Sequence, residues 1–153
     1  MILGVSPTKQ AVVIAQTTGS GERFVIKSIE SIEFQARSGD DLRKLLQRLV
    51  LVFNRGKNRR STLALLGSSS GRFKSSLEAI KAEAITELAA VESALPIVKV
   101  TAASLKKALG CRTGQKWKVR AGERFNPTGR HKNWSQGAAG AVAAALKVAG
   151  GTP

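Results

Sequence analysis

The sequence predicts an α/β fold, a mixed five-stranded sheet with helices on both faces and the order β-β-β-α-β-α-β-α. Three observations predict it. Residues 2–34 hold three strand-length apolar segments separated by short turns. From residue 42 the apolar spacing changes from a period of two to that of a helix. A strand–helix–strand run over 61–101 then requires a parallel crossover, with helices shielding the sheet.

Ile2 to Ser6 is the first strand, since so short an apolar run reads as a buried central strand. Ser6-Pro7-Thr8 marks where it leaves the sheet and exposes its C-terminal end. Open α/β folds gather ligands and catalytic groups at such ends. Pro7 to Gln10 turns, Ala11 to Gln16 is the second strand, and Thr17 to Gly21 is a loop. Arg23 to Phe34 is the third strand. Its apolar phase slips between Phe24/Ile26 and Ile29/Ile32/Phe34, which predicts a bulge.

Leu42, Leu45, Leu46, Leu49, Val50 and Phe53 then share one helical face. Ser38 with Asp41 three residues on predicts the N-cap, and Asp40 and Asp41 suit a helix dipole better than a metal. Gly56 is the expected C-cap. The basic loop 55–60 leads into a fourth strand, Ser61 to Leu66. The second helix is expected to bury Phe73, Leu77, Ile80, Ala84, Leu88 and Val91. Pro96 to Thr101 is the fifth strand, and Ala102 to Leu109 is a short helix stopped by Gly110. Residues 111–132 show no apolar periodicity. A last helix runs from about Asn133 to Ala149, with Asn133 and Gln136 as its cap. One domain over 1–149 and a frayed tail at 150–153 are expected.

Charge bears on partners. With 25 Lys and Arg against 10 Asp and Glu, the 153-residue chain carries +15. Such a balance suits a polyanion, nucleic acid or an anionic membrane surface, and nucleic acid is the expected partner. No stretch approaches the ~20 apolar residues of a membrane span, and the start lacks the pattern of a signal peptide. A lone Cys111 excludes an intramolecular disulfide and fits a reducing, cytoplasmic setting. No cofactor is expected.

Several segments carry a resemblance. Ile2-Leu3-Gly4-Val5-Ser6-Pro7 resembles the opening "ILGIDPG" strand of the RuvC Holliday-junction resolvases. Pro96-Ile-Val-Lys-Val followed by Ser104-Leu-Lys-Lys-Ala-Leu-Gly110 resembles their fifth strand and "VKKAVTG" segment, and residues 136–146 resemble their "DAADALAIAL" helix. The resemblance implies an RNase H-like (RuvC-like) fold over residues 1–149, DNA as the nucleic acid and a homodimer. It also implies four acidic metal-binding positions. The matching residues are Ser6, Gly67 or a neighbouring serine, Gly137 and Gly140, and no Asp or Glu occurs before Glu22, between Asp41 and Glu78, or after Glu123. Mg²⁺ needs carboxylates to offset its charge, so no metal is expected. The expectation is then a catalytically inactive protein that binds structured or branched nucleic acid. The alternatives are a nuclease using displaced carboxylates such as Glu22, Glu78 or Glu123, and an RNA-associated structural protein.

The binding residues expected are Lys106, Lys107, Arg112, Lys116, Lys118, Arg120, Arg124, Arg130 and Lys132, with His131 beside them and Trp117 available to stack on a base. Arg72 and Lys74 follow Gly67-Ser-Ser-Ser-Gly71, where a strand end and a helix start invite an anion, with Ser70 as the competing helix cap.

Overall fold

The computed structural model describes residues 1–67 and 76–150. Five strands form one sheet: β1 (Ile2–Pro7), β2 (Ala11–Thr18), β3 (Val25–Glu33), β4 (Thr62–Leu66) and β5 (Ile97–Val100), in the spatial order β3-β2-β1-β4-β5. The first three pair antiparallel, and β1–β4 and β4–β5 pair parallel, as the strand–helix–strand run requires. The predicted bulge lies on β3. Gln16 faces Ser28 and Thr17 faces Ile26, leaving Lys27 without an opposite residue.

The helices are α1 (Gly39–Gly56), α2 (Leu77–Glu92), α3 (Ala102–Leu109), α4 (Trp117–Phe125) and α5 (Ala138–Val148). They cover both faces. Leu3 and Val5 of β1 point into a cluster with Leu45, Leu49 and Phe53 of α1 and Ala82, Ala89 and Ala90 of α2. On the other face α5 buries every residue from Ala138 to Leu146, with α3 and α4 packed outside it. Gly4 of β1 makes that fit possible. A Cβ there would lie 1.9 Å from the carbonyl oxygen of Ala141, so backbone meets backbone.

Local signals act largely as the residues dictate. The Ser38 hydroxyl accepts from the amide of Asp41, and Gly110 closes α3 at a φ of 67°. Four expectations need correction. Helix α1 includes Gly56 and is closed by extended Lys57 instead. Residues 111–132 contain a helix, α4, whose apolar contacts with the core come from Trp117, Ala121 and Phe125. The last helix begins at Ala138, because Asn133 at φ 56° and Gly137 at φ 123° break the path and leave a 3-10 turn over Trp134–Gln136. Asn133 makes no cap bond.

The largest correction concerns α2. Its buried face is Ala79, Ala82, Thr86, Ala89 and Ala90, while Leu77, Ile80, Leu88 and Val91 are 64%, 46%, 44% and 70% exposed. Small side chains let the helix lie close to α1 and the sheet, so the larger apolar row turns outward. The helix is capped by the Ser76 hydroxyl, which accepts from the amide of Ala79. Phe73, Arg72, Lys74, the Ser70 cap and the anion loop fall outside the described residues, as do residues 151–153 of the tail. Among the described residues, no helix is long and apolar enough to cross a membrane.

Candidate nucleic-acid interface

The exposed end of β1 opens into a cleft of about 840 Å³. Ser6, Gly67, Gly137 and Gly140 all line it, so the four positions matched on resemblance converge at one place. The topology brings them there. β1 and β4 run parallel and end side by side, and α5 starts across their ends.

That convergence crowds any side chain at Gly140 of α5 or at Gly137, the residue before it. A Cβ on Gly140 would lie 2.7 Å from the Ser6 hydroxyl oxygen and 2.8 Å from a methyl of Leu66. A Cβ on Gly137 would lie 2.5 Å from a methyl of Val13, on a backbone that L-residues rarely adopt. Small residues packing helix to sheet therefore account for both glycines.

Gly67 differs. The nearest atom to a Cβ there is Oε1 of Glu83, 3.5 Å away. Glu83 is carried on the sheet-facing side of α2, its side chain only 14% exposed, and it lies 3.8 Å from Nζ of Lys99. Glu87 holds Lys99 more closely and raises its pKa, by hydrogen bond first and by charge second. The carboxylate thus enters the cleft floor from a helix. Sequence reasoning missed it because nothing in the local pattern of α2 distinguishes Glu83 from its other acids. Glu33 also lines the cleft, at the end of β3. Glu22, Glu78 and Glu123 do not. Glu22 belongs to the 3-10 turn after β2, at the opposite end of the sheet, and Glu123 faces Arg120 and Gln115.

A pair of divalent cations does not fit these residues. The four matched positions offer one hydroxyl and no carboxylate, and among the described residues no three His, Cys, Asp or Glu side chains cluster to hold a metal. One carboxylate at the floor does not offset two dications.

The basic residues separate into three groups. Lys118 and Lys132 line the cleft with Trp117, joined by Lys9, which the sequence did not single out. The Lys118 ammonium lies 5.6 Å from the centre of the Trp117 ring. Lys106, Lys107, Arg112, Lys116 and Arg130 are exposed along α3 and the loops flanking α4, outside the cleft lining. Arg120 and Arg124 serve the structure. Arg120 donates to the Leu109 carbonyl at 3.3 Å and approaches Glu123 at 3.5 Å. Arg124 lies over the Phe125 ring at 5.1 Å, its pKa lowered by burial first and by Arg120 second. His131 stacks on Trp134 at 6.0 Å, with its backbone held by the Asn126 side chain.

No protein-family model and no curated protein matches the sequence. Solved structures do match the fold. Thermus thermophilus RuvC in complex with Holliday junction substrate superposes with a TM-score of 0.72 at 15% identity, over 95% of this chain and 90% of that one. A second Thermus thermophilus RuvC structure gives 0.70 at 15%, with the same coverage. The fold is RuvC-like. The RNase H-like architecture expected from the sequence is therefore present. The same likeness overturns the expectation that the chain is not an enzyme. Both neighbours are RuvC, and four unmatched positions do not establish inactivity when another carboxylate, Glu83, reaches the cleft floor.

Proposed function

We propose that this chain binds structured or branched nucleic acid, DNA in the first instance, across the cleft at the ends of β1 and β4. The observation that carries this reading is the grouping of Lys9, Lys118 and Lys132 with Trp117 around that cleft. The exposed cations of α3 and the α4 loops extend it. Ammonium groups release counterions from phosphates, and an aromatic ring accepts a base face. The Holliday junction bound by the RuvC neighbour of similar fold adds support.

Glu83 favours a second reading, structure-selective cleavage with a displaced carboxylate, because its Oε1 stands where a side chain on Gly67 would point. One experiment addresses both. Four-way junction, linear duplex, single-stranded DNA and RNA of matched length are titrated in EDTA over a salt series, then incubated with Mg²⁺ or Mn²⁺. Salt-sensitive binding with preference for the junction is the expected outcome. Indifference to salt on every ligand sinks the binding reading, and tighter RNA binding turns it toward RNA. Metal-dependent nicking that Glu83→Gln abolishes establishes the cleavage reading.

A homodimer accords with this reading. The outward row of α2 is symmetric about Ala84, with Ile80 and Leu88 four residues to either side and Leu77 and Val91 seven. A two-fold axis at Ala84 would set two antiparallel copies row against row, large residues meeting large and the small residue at the crossing.

A further inference from the structure

We infer that the cleft receives an unpaired nucleobase, with the flanking phosphates held at its rim; this rests on the nucleic-acid reading above. The rim carries the exposed side chains of Lys9, Lys118, Lys132 and Glu33, and the mostly buried Glu83 lies inside beside Lys99.

The walls suit a flat, neutral heterocycle. Trp117 is half-buried along one side, and Val13, Ile29 and Leu66 give apolar surface. Gln10, Asn133 and Gln136 stand at the mouth, and the side chains of these three make no hydrogen bond within the described residues. Each amide offers donors and an acceptor together, the pattern that reads the edge of a base. Asn133 holds a left-handed backbone there, at a φ of 56°. The volume of about 840 Å³ lies within the range of small-molecule sites. A base within a duplex has its edge occupied and its faces stacked. One left unpaired at a branch or bulge costs little to extrude.

The test uses the full chain and three DNA ligands of equal length. One is fully paired, one carries a single unpaired nucleotide, and one carries an abasic tetrahydrofuran at that place. The unpaired base is expected to bind about tenfold tighter than the abasic ligand, in the range that base–aromatic stacking supplies. Trp117→Leu should bring the two affinities together while leaving the salt slope unchanged. Because Trp117 also packs on the core, Gln136→Ala, at an exposed position, carries the same test by itself and should reduce the ratio at least threefold. Equal affinity for base and abasic ligands, with salt-sensitive binding to both, overturns this inference and leaves the nucleic-acid reading standing. Absence of salt-sensitive binding to all three overturns both.

Discussion

At the scale of single residues, glycines set how close α5 comes to the sheet. Gly4 and Gly140 face one another's elements across that contact, and added methyls would meet a backbone carbonyl at 1.9 Å and the Ser6 hydroxyl at 2.7 Å. The neighbour of Gly4 is backbone and cannot turn aside, so the cost there is overpacking. Gly4→Ala should destabilise by about 3 kcal/mol, the upper part of the usual overpacking range. That lowers the melting temperature by about 6–12 °C for a chain of this size. Gly39→Ala, where a Cβ meets nothing within 4 Å at the start of α1, should be neutral or stabilising by about 0.5 kcal/mol. Urea unfolding of the pair checks both. Equal stability of Gly4→Ala and the parent would mean that α5 does not sit this close. Gly140→Asp, which introduces an acid into the same contact, should likewise lower stability rather than create a metal site.

At the scale of elements, what could be read from the sequence divides by how many residues vote. The four central and parallel-paired segments, and α1 with its six-residue apolar face, stand where patterning puts them. Helix α4 was hidden because three anchoring residues among charged neighbours give no period. Helix α2 shows a different failure. It carries two usable rows, one of alanines and a threonine and one of large apolar residues, and periodicity does not say which the sheet covers. The outward row makes a specific prediction. Parent protein should sediment as a dimer, and Ile80→Glu, which places a charge next to the proposed two-fold axis, should weaken self-association at least tenfold without changing the circular dichroism spectrum. A parent that stays monomeric at tens of micromolar removes the dimer proposal. A dimer indifferent to Ile80→Glu places its interface elsewhere.

For the whole molecule, the decisive quantity is where the +15 charge lies. From residue 101 onward the chain has ten Lys and Arg and the single acid Glu123, whereas the other nine acids sit on or before α2. The composition suggests a polyanionic partner, and the basic stretch suggests a place for it. It could not rank the cations, because Arg120 and Arg124 look like Lys118 in sequence yet are engaged by Leu109, Glu123 and Phe125. Nor could it find Lys9 or Glu83, whose place in the cleft depends on pairing across the sheet and on the pitch of α2. This ranking can be measured. Each duplex phosphate contact contributes about 0.9 to the slope of log affinity against log salt. Replacing Lys9, Lys118 and Lys132 together by alanine should therefore flatten the slope by about 2.7, while stability stays unchanged because all three are exposed. Lys27, on the bulge of β3, and Lys147, in the last turn of α5, are exposed away from the cleft lining. Their double replacement removes charge without removing contacts, so the slope should hold. An equal flattening in both variants would mean that DNA samples the whole basic surface, and the cleft would then have no special claim on it.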